Sequence, residues 1–141
     1  MGKLNTKFIL SLAAAKVISA AAEAEAERNN WAVAIAVTDD HGELIHFVKM
    51  DNTTNAAVGI AQRKAAHSAN YRRDTTFHEK LLADGHNGVL SLPDSMPLEG
   101  GLRLIFEDNV IGAIGVSGVA SEDDGRIAQK GMEAFENWVA N

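Results

Sequence analysis

Two stretches of this chain read as strands with one face stripped of bulk. In "WAVAIAV", Ala32, Ala34 and Ala36 alternate with Val33, Ile35 and Val37, and in "NVIGAIGVSG", Ala113, Gly115 and Ser117 fall on one side of the last apolar run. Successive strand residues point to opposite faces, so each stretch presents a row of small side chains to whatever lies above it. Such a surface accepts only something that approaches closely. A helix packed backbone to backbone is the commoner use, and a shallow site for a flat ligand is the alternative. The glycines at 112, 115 and 118 do not form a phosphate cradle, because no lysine and hydroxyl follow them, and Gly112 and Gly115 lie within the strand itself, which belongs to a hairpin.

The rest of the chain organises around these strands. An alanine-rich stretch predicts a helix from Asn5, as cap, to about Arg28, with Phe8, Leu12, Ala15, Ser19 and Ala22 on one face. Lys16 interrupts its apolar run, which argues for a retained helix over a cleaved signal segment. Asp39 to Gly42 turn a first hairpin that resumes in Glu43 to Met50, and Glu107 to Asn109 turn a second. Between them lie a helix from Thr54 or Asn55 to Tyr71, a short helix from Thr76 to Ala83 capped by Thr75, and an irregular connection over 85–101. A final helix opens at Ser121 with Asp124 as a capping box and runs through Trp138. The order α-β-β-α-α-β-β-α predicts one α+β domain over residues 1–141, an antiparallel sheet from two hairpins packed by helices in a profilin-like sandwich.

Charge and composition narrow the function classes. A formal net charge of -6 offers no basic footprint for nucleic acid, and no run approaches the ~20 apolar residues of a membrane span. With no cysteine, thiolate catalysis and cysteine-bound metal are excluded. The expected setting is cytoplasmic.

Several motifs carry a resemblance. "VTDDHGELIHFVKMDN", "IAQRKAAHSANY" and "GGLRLIFEDNVIGAIGVSG" followed by "EDDGRIAQKGMEAF" are similar to the GlcG/HbpS-like family, also called the haem-degrading-domain family, which includes the C-terminal domain of PduO-type proteins. The resemblance implies a homo-oligomer, a haem or cobalamin-like tetrapyrrole as ligand in some relatives, and a place in small-molecule catabolism. It carries over to Met50-Asp51, to the Lys64-Ala65 and Tyr71-Arg72 pairs, to Gly100-Gly101 and to the strand from Gly112 to Gly118. The chain departs from the family at His67, usually threonine, at Asp74 and Arg103, usually proline, and at Asn52, usually glycine. Its first helix has no histidine, the iron ligand of some haem-binding relatives.

The strongest constellation lies on the second helix. Arg63, His67 and Tyr71 stand at i, i+4 and i+8 with Lys64 beside them, either as a solvated face or subunit contact or as a site for an anion with His67 as acid, base or metal ligand. With Arg72, Gly100, Gly101, Gly115 and Ser117 they form the candidate ligand set, and His67 is the substitute haem-iron ligand. Glu122, Asp123 and Asp124 favour the positive end of their helix without needing a ligand. The reading is a binding accessory protein, its ligand a small organic acid or a tetrapyrrole. The alternatives are an enzyme using Lys64 or His67 as acid and base, and a purely structural subunit.

Overall fold

The computed structural model describes residues 2–141. Its elements are α1 (Leu12–Arg28), β1 (Ala34–Asp39), β2 (Leu44–Lys49), α2 (Asn55–Tyr71), α3 (Thr75–Ala83), β3 (Gly101–Phe106), β4 (Asn109–Ser117) and α4 (Ser121–Ala140), with a 3₁₀ turn at Asn87–Ser91. The four strands form one antiparallel sheet in the order β2-β1-β4-β3, so the element order and α+β class expected from the sequence are those of the structure.

The hairpins meet through β1 and β4, and their register answers the question of the small residues. Ala34 pairs with Ser117, Ala36 with Gly115 and Thr38 with Ala113, which fuses the two small-residue rows into one surface. Onto it packs α2, whose Ala57, Ala61, Ala65 and Ala69 are buried with Ala34, Ala36 and Ala113. A Cβ on Gly115 would stand 2.5 Å from the Ala65 amide nitrogen and would overlap the Ala61 carbonyl oxygen. Close helix packing is therefore the use of the glycine strand, and no ligand space lies between α2 and β4. The opposite face buries Val33, Ile35, Val37, Ile114 and Val116 beneath α1 and α4, which contribute Ile18, Ala22, Ile127 and Phe135.

Three boundaries differ from the sequence expectation. The first helix begins at Leu12, because the Ser11 hydroxyl accepts the Ala14 N–H at 3.1 Å; Asn5 and Phe8 precede it. Asp74 is the residue before α3, and Thr75 instead turns its hydroxyl to Gly101. Ala120 precedes α4, and Asp124 makes no capping box, since its carboxylate is drawn into the interior. Among the described residues, no helix is long and apolar enough to cross a membrane.

Candidate functional site

Lys64 is the most unusual side chain in the core. It is only 1% exposed, and its ammonium donates to the Val116 carbonyl at 2.9 Å and to Asp124 Oδ2 at 3.1 Å. The glycine pair makes room for it: a Cβ on Gly100, whose φ is +131°, would lie 2.8 Å from Nζ, and one on Gly101 would lie 2.5 Å from the Lys64 carbonyl. Asp124 Oδ1 accepts the Val119 N–H at 3.1 Å, so one carboxylate ties the end of β4, the start of α4 and the middle of α2. Burial raises the Asp124 pKa above the ordinary carboxylate value, outweighing the pull of Lys64. Glu99, half-buried against Gly125, is also raised, first by burial and then by Glu79 and Glu122.

His67 is fully buried, and both of its ring nitrogens are occupied. Nδ1 accepts the Met96 N–H at 2.9 Å, which places the ring proton on Nε2, 3.0 Å from His78 Nδ1. His67 therefore donates to His78, and both rings are neutral. Burial, followed by the neighbouring His78, holds the His67 pKa down at about 4; burial and Arg73 also lower that of His78. Tyr71 packs on both rings, with centroids 5.0 Å from His67 and 5.4 Å from His78.

The i, i+4, i+8 row on α2 thus has a shared task. Arg63 Nη2 donates to the Ser95 carbonyl at 3.3 Å, His67 accepts from Met96, and the Tyr71 hydroxyl donates to the Pro93 carbonyl. All three clasp the backbone of residues 93–96, the irregular connection whose course no periodicity specifies. Lys64 and His67 are not on a solvated face. Gly115 and Ser117 lie buried on β4, Gly115 directly against Ala61 and Ala65 of α2. The structure brings together Lys64, Gly100 and Gly101, and separately Arg63, His67 and Tyr71 with their loop. Asp124, Glu99 and His78 were missed as partners because they stand far along the chain, with no local spacing to announce them.

Arg72 belongs to a different place. It ends α2 with left-handed backbone, φ 53°, and lines a groove of about 520 Å³ with Lys7, Arg73, Arg103, Glu107 and Asp108. Lys7 is paired with Asp40 and Arg103 with Asp74, whereas Arg72 and Arg73 have no carboxylate partner among the described residues. The Arg73 guanidinium lies 4.9 Å from the Phe77 ring centroid. Asp74 and Arg103 are bonded to each other: Asp74 Oδ1 accepts both the Arg103 N–H and its Nε, each at 3.0 Å. Proline at 103 would have no N–H to give to Asp74. Among the described residues, no group of three or more His, Asp or Glu side chains is placed to hold a metal ion.

Comparison with known proteins agrees with this architecture. Protein GlcG of Escherichia coli K12 is 40% identical over 114 residues, covering 81% of this chain and 85% of that protein. The crystal structure of Klebsiella pneumoniae protein ORFY superposes with a TM-score of 0.90 at 30% identity, covering 96% of this chain and 97% of ORFY. The crystal structure of a PduOC–haem complex shares the fold, with a TM-score of 0.83 at 22% identity over 90% of this chain and 95% of that one. Residues 10–133 match the family described as haem degrading protein HbpS-like, from α1 to α4, and to that family this chain belongs.

Proposed function

We propose that this chain is a self-associating accessory protein that holds a small organic acid by charge and performs no catalytic step of its own. The observation that carries the reading is the Arg72 groove. Among the described residues, only two in the left-handed region are neither Gly, Asn nor Asp: Arg72 at φ 53° and Glu107 at φ 48°, and both line it. That backbone costs about 1–2 kcal/mol for a residue with a Cβ, and glycine would end α2 there without the penalty. Strain of this kind clusters at ligand clamps. Arg72 and Arg73 offer paired donors to a carboxylate, and Glu107 and Asp108 offer acceptors to a hydroxyl or amine on the same ligand. The burial of Lys64, Asp124 and His67, with their polar atoms committed inside the fold, speaks against acid–base turnover. Exposed Leu4, Phe8, Ile9 and Leu44 favour self-association.

His67 does not fit as a haem-iron ligand. An axial histidine must offer iron a free nitrogen at a dry slot. His67 has none free, and the apolar groove between Phe8, Phe106, Phe135 and Trp138, about 520 Å³, is lined by no histidine. Calorimetry with lactate, malonate and inorganic phosphate, alongside a hemin titration, tests the reading. The carboxylates should bind, Arg72→Gly should abolish that binding, and hemin should give no stoichiometric Soret shift. A tight Soret shift unchanged in Arg72→Gly, with no response to either acid, would refute it.

A further inference from the structure

The Arg72 groove holds more charge than a simple anion calls for. Lys7 and Asp40 neutralise each other at 2.8 Å, and Arg103 is neutralised by Asp74 at 3.0 Å. That leaves Arg72, Arg73, Glu107 and Asp108, all exposed and all lining the same space of about 520 Å³. None of the four is paired with another, and none has an ion partner elsewhere among the described residues. Arg73 Nη1 donates to the Arg72 carbonyl at 3.0 Å and its guanidinium lies against Phe77, which steadies the side chain and leaves its other N–H groups without a bonded acceptor. Opposite charges that share a groove and stay apart are bridged best by a ligand carrying both signs.

The two carboxylates occupy a demanding position. Glu107 and Asp108 form the two-residue turn between β3 and β4, closed by the Phe106–Asn109 pair, and both have positive φ, 48° and 64°. Such turns favour asparagine and glycine, which take that backbone most readily, so glutamate there supplies charge at the expense of conformational ease. The charge has a definite consequence for the ligand. A monocarboxylate drawn to Arg72 and Arg73 meets two like charges in the same groove, and a hydroxyl, with one proton to donate, answers only one of them. An ammonium cancels the repulsion and has three protons to donate, enough for both carboxylates.

We infer that the groove selects a zwitterion: a small amino acid, its carboxylate on Arg72 and Arg73 and its ammonium on Glu107 and Asp108, in preference to a hydroxy acid of the same length. The inference rests on the organic-acid reading of this groove and names the ligand class within it. Calorimetry at neutral pH tests it with alanine, β-alanine and γ-aminobutyrate, each set against its hydroxy counterpart: lactate, β-hydroxypropionate and γ-hydroxybutyrate. The amino acid of best-fitting length should bind at least about ten-fold tighter than its counterpart, the difference expected when charged hydrogen bonds replace a neutral one. Glu107→Gln should weaken the amino acid and tighten the hydroxy acid, because the carboxylate that held one repelled the other. Asp108→Asn should move both affinities in the same directions, with the circular dichroism of each variant unchanged. A wild type that binds neither the amino acids nor the hydroxy acids would overturn the organic-acid reading of the groove itself. Hydroxy acids that bind as tightly as their amino counterparts, or a Glu107→Gln variant that weakens both alike, would overturn the zwitterion preference alone.

Discussion

Asp124→Asn changes one carboxylate oxygen to an amide NH₂ and removes the counter-charge bonded to Lys64. The asparagine oxygen can still accept the Val119 N–H, so the helix junction is kept while the buried ammonium retains only the Val116 carbonyl as bonded acceptor. Breaking a buried pair from one side costs about 3–5 kcal/mol, because the remaining charge has lost both water and its partner. The pair as a whole is worth far less: burial already raises the Asp124 pKa despite Lys64, so desolvation outweighs attraction. Lys64→Met should therefore recover part of the loss when combined with Asp124→Asn, with a coupling energy of up to about 3 kcal/mol. Urea titrations of wild type, both single variants and the double variant measure this, all at one fixed protein concentration. A single-variant cost below about 1 kcal/mol, or a double variant at least as destabilised as the sum of the singles, would refute the argument.

The histidine pair predicts a pH dependence. Unfolded histidine titrates near 6.5, whereas burial holds His67 at about 4, so protons bind the unfolded chain first as pH falls. Stability present above pH 6.5 should be lost towards about 4, by roughly 3 kcal/mol, and His67→Asn, which keeps an acceptor for Met96, should flatten that slope in urea midpoints taken across the window. Gly115→Val should lower the melting temperature sharply, at or beyond the ~1–3 kcal/mol of ordinary overpacking, because the atoms it meets are α2 backbone; an unchanged melting temperature would contradict the packing. Arg72→Gly should raise stability by about 1 kcal/mol while organic-acid binding is lost, an opposition that calorimetry and thermal melts read on the same protein.

The sequence alone determined the hairpins, the helices and their order, because each is written in a local period: alternation in Ala32 to Val37, a turn at Asp39 to Gly42, helical spacing through Ala61, Ala65 and Ala69. It also determined that something must come close to Gly115, since small residues on one strand face leave no other way to exclude water. Cap positions were less legible. Ser121 with Asp124 carries a capping-box spacing, yet Asp124 was claimed by a lysine 60 positions away. Tertiary structure alone decided that Lys64 points inward, that Arg63, His67 and Tyr71 hold the backbone of 93–96, and that Arg72 turns into a groove with Glu107 and Asp108. The periodicity of α2 put these polar residues side by side but could not say what covers them. A side chain's burial and partners depend on which distant segment the sheet register and the irregular 85–101 connection bring over it, and neither is encoded in the spacing of neighbouring residues.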